Sequence, residues 1–459
     1  MEVDTGQLAE ALRPVLGEVQ VENVARLSGG ASRETWAFDA VPTSTRPAPE
    51  SRADHSSSEI GYPEIGYPEI GYPQTELSGR TGQRVELVLR RDPPGRPSEP
   101  GATGREARAI GAARAAGLAV PEVLLASDSA ELFGTAGMVM RRVAGETIAR
   151  RILRDERYAP ARRVLVGQLG EFAAGLHALP LFGDLPAADP LAGLRATLAE
   201  FAELGQASEV FELAAAELAR SQPAPRGPVI VHGDLRLGNL IVAPSGLAAV
   251  IDWELVHAGD PAEDLGWLCV RAWRFGAAGA VAGVGSRKEL LFAYRAAGGA
   301  DISLDELRWW EVFGTLRWGV ICLTQAWAHL SGAYRSVELA AIGRRVCEQE
   351  WDLLELLRPE AAAAAAGRRP APASEPRSEP APFGRPTASE LLDAVREFLT
   401  EQVMAHTDGQ LAFHARVAAN ALAIVARELA LGPPPDELEL ADRVAAKLAV
   451  ANPRYFSSS

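Results

Sequence analysis

The feature that most limits how this chain can fold is the run VIVHGDLRLGNLIV at residues 229–242, where two apolar, β-branched stretches enclose a polar loop. Apolar runs of this kind read as short buried strands, so the charged and amide groups between them sit at the mouth of a core. A third apolar run, LAAVIDWE at 247–254, follows the turn APSG at 243–246. A hairpin closed at that turn brings Asp252 back beside Asn239, with Asp234 five positions earlier in the same loop. Two carboxylates and an amide oxygen then converge. One carboxylate can accept a proton from an acceptor hydroxyl, while the amide oxygen and the second carboxylate hold Mg2+ across nucleotide phosphates. Asp234 is the candidate base, and Asn239 and Asp252 are the candidate metal ligands. Asp and Asn also cap turns, and any one of them alone would be read that way. The ordered set H-G-D-L-x-x-x-N followed by I-D-W-E favours chemistry.

The rest of the chain predicts an α+β fold in which a small strand-rich part precedes a larger helical one. A short helix over 7–17, strands at 21–27 and 35–41 around SGGASRE, and a strand at 85–90 open the chain, followed by a helix over 104–116 and two further strand-like runs. Helical spacing then dominates at 160–179, 190–220, 286–297 and 304–358. Residues 43–82 are rich in Pro, Ser and Gly and repeat EIGYP three times. A five-residue period with Gly and Pro is too short for a solenoid repeat and reads as an insert in a tolerant surface loop. Residues 359–386, PEAAAAAAGRRPAPASEPRSEPAPFGRP, read as a linker, and the amphipathic runs beyond them as an all-α module. The expected domains are therefore 1–142 with the insert 43–82, 143–358, the linker 359–386, and the module 387–459.

At 459 residues the chain is long enough for two or three cores, and its net charge of -14 does not suit a binder of nucleic acid or anionic membrane. No long uncharged apolar run reads as a membrane span, and the first residues lack the basic start and apolar middle of an export signal. A cytoplasmic location is the resulting expectation. Cys269, Cys322 and Cys347 are far apart in apolar surroundings and read as reduced core residues. His406 and His414 read as surface or packing residues rather than metal ligands.

HGDLRLGN, followed by VIDWELVHAGDPAEDLGWL, resembles the aminoglycoside phosphotransferase and choline kinase superfamily, relatives of the protein kinases. Within it the chain is most similar to the kinase-like domain associated with acyl-CoA dehydrogenases, over about residues 20–357. The resemblance implies a two-lobed protein-kinase-like fold, with a small antiparallel-sheet N-lobe and a large helical C-lobe. It implies ATP and Mg2+ as cofactors, Asp234 as base, Asn239 and Asp252 as metal ligands, His232 as a positioning residue and Asp264 as a carboxylate bracing the loop backbone. LSGGASRETWAF matches the loop over the phosphates, with Gly29, Gly30 and Ser32 as contacts, although a Gly-Gly turn also suits an ordinary hairpin. The third strand normally ends in a phosphate-holding lysine, and here Arg90 takes that place. Arg and Lys are not equivalent phosphate ligands. Glu106 would orient Arg90, the other reading being a solvated helix charge. The segment from Met140 through Arg141 and Arg142 to Val143 would offer backbone groups to adenine.

These features predict an ATP- and Mg2+-dependent transfer of the γ-phosphoryl group to a small-molecule hydroxyl. Trp309, Trp310, Trp318 and Trp327 read first as core and second as an acceptor wall. The segment 304–330 mixes both charge signs, which suits a more apolar hydroxylated acceptor better than a polycationic antibiotic, and the resemblance to dehydrogenase-linked relatives implies a hydroxyacyl thioester. Two other readings stand beside this one: a nucleotide-binding pseudokinase or scaffold, motivated by Arg90, and an aminoglycoside- or choline-type kinase. A protein kinase fits poorly, because VHGD replaces His-Arg-Asp and no activation-loop-like stretch follows IDWE. The 387–459 module carries no visible catalytic set and reads as a docking or self-association element, its candidate partners being an acyl-CoA dehydrogenase or a second copy of the chain.

Overall fold

A computed structural model describes residues 3–27, 33–43, 82–95, 99–187, 189–368, 385–435 and 437–455. The chain divides into two compact units, Met1–Val143 and Ala144–Ser459.

The first unit is built on helix α1 (Thr5–Leu16) and strands β1 (Val19–Arg26), β2 (Glu34–Pro42) and β3 (Val85–Arg91), then helix α2 (Ala102–Ala115) and strands β4 (Val123–Ser127) and β5 (Gly137–Arg141). The strands form one five-stranded sheet in the order β1-β2-β3-β5-β4, with every neighbouring pair antiparallel. Alternation sets its two faces: Val85, Leu87, Leu89 and Arg91 of β3 are buried while Glu86 is exposed. Leu87 and Leu89 pack with Phe38, Val139 and the Leu8, Leu12 and Leu16 stripe of α1, which closes that side. Arg90 lies on the other face, where α2 presents Glu106.

The second unit is mostly helical. Its strands form short antiparallel pairs: β6 (Val229–Val231) with β9 (His257–Gly259), and the hairpin β7 (Leu240–Ala243) with β8 (Gly246–Val250). Gly246 adopts a φ of 137°, and the Gln168 carboxamide lies where a Cβ would stand, its Oε1 accepting the Leu247 N–H at 2.8 Å. That contact ties the β7–β8 hairpin to the helix Ala159–His177. The helix Pro261–Cys269 starts at Asp260, whose side chain caps Ala262 N–H at 2.8 Å ahead of Pro261. It packs on the long helix Leu304–Leu330, which opens with a capping box of Ser303 and Glu306.

The contact between those helices is too close for side chains at its centre. A Cβ on Gly266 would lie 2.4 Å from Trp310 Cβ and 2.7 Å from its carbonyl carbon. Gly266→Ala must therefore push the helices apart, at a cost of about 2–3 kcal/mol in urea unfolding. An unchanged midpoint would show that the two helices can slide past each other.

Helical elements expected as long runs are divided in the structure. The 304–358 run is three helices, Leu304–Leu330, Val337–Gly343 and Val346–Leu357, and 190–220 is two, Pro190–Glu203 and Glu209–Arg220. The largest departure is at the expected linker. Its first ten residues, Pro359–Arg368, form a helix that buries Ala362 and Ala365. Alanine is the strongest helix former, and its small side chain lets the backbone approach a neighbour closely, so a sequence without large apolar residues still packs. The helices of the module expected at 387–459 lie in the same compact unit as the rest of Ala144–Ser459. Helix Leu440–Ala451 packs on Val346–Leu357 and on Pro359–Arg368, burying Val444, Ala445 and Leu448. Among the described residues no helix is long and apolar enough to cross a membrane.

Candidate active site

The loop that leaves β6 is held by one buried carboxylate. Asp264, fully buried on helix Pro261–Cys269, accepts the N–H of His232 at 2.8 Å on Oδ2 and that of Gly233 at 3.0 Å on Oδ1. His177 Nε2 lies 3.4 Å from Asp264 Oδ2, and its Nδ1 lies 2.9 Å from the Tyr294 hydroxyl. Burial pushes the Asp264 carboxyl up, but the hydrogen bond and charge of His177 and the bonding at His232 outweigh it and hold the group below the usual carboxylate range. Gly233 turns with φ 78°, and a Cβ there would stand 2.5 Å from the Leu255 carbonyl oxygen, so this turn admits only glycine.

His232 uses both ring nitrogens on the backbone. Nδ1 accepts the Asp234 N–H at 3.2 Å, which leaves Nε2–H to donate to the Ile251 carbonyl at 3.2 Å, and the ring rests against Trp253 with centroids 4.7 Å apart. A nitrogen that accepts carries no proton, so the ring is neutral in this arrangement. His232 thereby ties the 232–234 loop to the end of β8.

Asp234 lies at the centre of a set of donors. Asn239 Nδ2 donates to its Oδ2 at 2.6 Å and to its carbonyl oxygen at 2.9 Å. Arg236 Nε donates to both carboxylate oxygens, at 2.9 and 3.1 Å, and Trp267 Nε1 donates to Oδ1 at 2.7 Å. The Ile251 N–H donates to the Asn239 carbonyl at 2.9 Å, which extends the β7–β8 ladder and sets Asp252 next to this loop. Asp252 adopts a φ of 69°, a left-handed conformation that Asp tolerates better than most residues and that turns the chain sharply out of the strand. Both Asn239 side-chain bonds use its nitrogen, which leaves its oxygen as the candidate metal ligand. Among the described residues no group of three or more His, Cys, Asp or Glu is placed to hold an ion. An amide oxygen and one carboxylate fit Mg2+, which takes few protein ligands and completes its shell with water and phosphate.

Several residues around Asp234 are not evident from spacing alone. The Arg236 guanidinium lies 4.7 Å over the Trp273 ring, Trp273 lies 5.2 Å from Trp267 and 4.8 Å from Trp318, and Arg317 lies 5.0 Å over Trp267. Arg317 also pairs with Glu263 at 3.0 Å. The nearest signal for Arg236 is its place two residues after Asp234. Trp267 and Trp273 had no signal beyond aromatic content, since only helix packing turns them to this loop. Of the tryptophans expected as core or wall, Trp309 and Trp310 are buried, Trp309 stacking on Phe313 and Trp310 meeting it edge-on, Trp318 joins the aromatic group, and Trp327 is 38% exposed.

In the first unit Arg90 pairs with the buried Glu106, and Arg33 pairs with the same carboxylate while reaching Asp92 at 3.0 Å. Glu106 is 1% exposed, so it is not a solvated helix charge. Arg33, directly after the SGGAS loop, was not anticipated; its only signal is a charge following a glycine turn. Met140 and Arg141 lie at the end of β5, and the Arg142 N–H donates to the Glu86 carbonyl at 3.0 Å. Gly29, Gly30 and Ser32 fall outside the described residues, as do the EIGYP repeats. The cysteines are buried and free, and burial pushes the Cys322 thiol up to about 12 and raises those of Cys269 and Cys347, so none is a ready nucleophile.

An antiparallel N-terminal sheet, a helical remainder, and a strand–loop–hairpin that brings Asp234, Asn239 and Asp252 together define a protein-kinase-like fold. Residues 76–299 match the model of the phosphotransferase enzyme family, and residues 405–443 match a domain of unknown function (DUF6285). Acyl-CoA dehydrogenase family member 10 of Mus musculus is 30% identical over 200 residues, which are 40% of this chain and 18% of that protein. The match thus spans under a fifth of that relative's length. An aminoglycoside phosphotransferase-like protein from Ralstonia eutropha shares the fold, with 18% identity and a TM-score of 0.53 over 77% of this chain and 98% of its own. A choline/ethanolamine kinase family protein from Mesorhizobium loti is 19% identical, with a TM-score of 0.44 over 73% of this chain and 88% of its own.

Proposed function

We propose that the chain transfers the γ-phosphoryl group of ATP to the hydroxyl of a small molecule, with Asp234 as base. The observation that carries this reading is the link from Asp234 through Asn239 to Ile251, which gathers the base and both candidate metal ligands on one loop and hairpin. As the acceptor oxygen forms its bond to the γ-phosphorus, the hydroxyl proton passes to an Asp234 oxygen and the bond to the β-phosphate oxygen breaks, leaving ADP. Asn239 and Asp252 would hold Mg2+, which when bound offsets the charge of the phosphates. Arg90, fixed by Glu106, is the candidate phosphate cation of the first unit, with Gly29, Gly30 and Ser32 as the loop over the phosphates and Met140 to Arg142 toward adenine. Asp264 and His232 keep the loop in shape.

The acceptor reading is a hydroxyacyl-CoA-type metabolite. Arg236, Arg317 and the tryptophans near Asp234 suit an anionic, partly apolar molecule better than a polycation. An acyl-CoA dehydrogenase is the corresponding protein partner, and the cytoplasm the corresponding location. The second reading, a nucleotide binder without turnover, is favoured by Arg90 where the resemblance expects lysine. ADP release from MgATP, measured over hydroxyacyl-CoAs, choline and aminoglycosides, separates them. Turnover greatest with a hydroxyacyl-CoA is the expected result. Preference for an aminoglycoside would overturn the acceptor reading, and MgATP binding without turnover on any acceptor would favour the second.

A further inference from the structure

The 405–443 match carries no function, yet the segment after it reaches the residues that hold Asp234. Helix Leu440–Ala451 lies on helix Val346–Leu357, where Lys447 pairs with Glu350 at 3.2 Å and Asn452 Nδ2 donates to Glu348 at 2.9 Å. Beyond it, the Tyr455 hydroxyl donates to Asp352 Oδ2 at 2.7 Å. Arg271 bridges these groups. Its guanidinium lies 4.7 Å over the Tyr455 ring, donates to the Tyr455 carbonyl at 3.3 Å and to Asp352 Oδ1 at 3.3 Å, and pairs with Glu355.

Arg271 opens the short 3-10 turn Arg271–Arg274. The third residue of that turn is Trp273, 5% exposed, whose ring carries the Arg236 guanidinium that grips Asp234. The other end of the turn is tied independently: Arg274 donates to the Cys269 carbonyl at 2.7 Å and pairs with the buried Glu311 at 2.9 Å. A turn of four residues has little internal rigidity, so its placement rests on these two anchors together with the packing of Trp273 against Trp267 and Trp318.

We propose that the C-terminal segment is a positioning element of the phosphotransfer site, with Tyr455 holding Arg271 and thereby the turn that sets Trp273, Arg236 and Asp234. The segment then acts on catalysis through the loop, without touching substrate. The proposal rests on the phosphotransfer reading above, and its test keeps the two apart.

The test uses the full chain carrying Tyr455→Ala or Tyr455→Phe. Two quantities are read: backbone amide exchange over 270–276 and 233–240, and ADP release from MgATP with a mixture of hydroxyacyl-CoAs. Tyr455→Ala removes the ring, the hydroxyl and their hold on Arg271. Exchange in both segments is expected to rise roughly tenfold, and kcat to fall roughly tenfold with KM for MgATP changed less than about twofold. Tyr455→Phe keeps the ring over Arg271 and should recover most of kcat. If Tyr455→Ala fails to fold, Tyr455→Phe is read alone, and a smaller shift of both quantities in the same directions is the supporting result. Unchanged exchange at 233–240, or unchanged kcat, overturns the proposal. A wild-type chain that turns over no MgATP with hydroxyacyl-CoAs, choline or aminoglycosides, while exchange at 233–240 still responds to residue 455, defeats the phosphotransfer reading and leaves the coupling supported.

Discussion

Asp234→Ala lowers kcat by about 10³–10⁴-fold and leaves the dissociation constant for MgATP within about threefold of wild type. The size follows from what the carboxylate does. It receives Arg236, Trp267 and Asn239, so its oxygens are fixed in direction before any acceptor arrives. A fixed acceptor of protons contributes through the transition state, where the hydroxyl proton is in flight, and little to nucleotide binding. Removing it also leaves the Arg236 guanidinium without its carboxylate, so Asp234→Asn is the better-matched second variant, keeping an oxygen for Arg236 while losing the base. Single-turnover ADP formation together with equilibrium nucleotide binding checks this. Equal turnover in wild type and both variants would remove Asp234 from the reaction.

Asp264→Ala costs about 4 kcal/mol of stability, read as the shift of the urea midpoint. The carboxylate is fully buried, and its loss strands the N–H groups of His232 and Gly233 away from water. The effect depends on pH in a defined direction. Because the folded-state pKa lies below the ordinary value, the group contributes fully above the unfolded pKa of about 3.9 and loses that contribution as pH falls through the folded value. Wild type and variant should therefore differ by a constant amount at neutral pH and converge only below about pH 4. A gap that closes between pH 5 and 7 would mean that another group, such as His257 with its raised pKa beside Glu263, governs the loop. Turnover should fall with stability, since the same N–H groups fix the loop that bears Asp234.

Local order in the sequence was sufficient for the centre of the site. Asp234, Asn239 and Asp252 lie within one strand–loop–hairpin, and the turn at 243–246 determines their pairing through the β7–β8 register. The strand periodicity of β2 and β3 was legible for the same reason, because face follows from short-range spacing, whereas the Arg90–Glu106 pair was implied only by the family resemblance. Trp267, Trp273 and Arg271 were not legible. Their roles depend on which helix face meets which, and that is decided by contacts far apart in the chain, such as Gly266 against Trp310 and Arg271 against Tyr455. The alanine run at 359–368 misled for a related reason: composition without large apolar residues suggests a linker, whereas a strong helix former beside an existing surface is ordered by packing. The sequence by itself determined the candidate acid and amide groups and their spacing, because a hairpin and one loop suffice to bring them together. The resemblance already implied Asp264 and His232 as supports of the loop; only the tertiary structure decided what else holds those groups still, because an aromatic stack and an arginine bridged to residue 455 exist only once distant helices have packed.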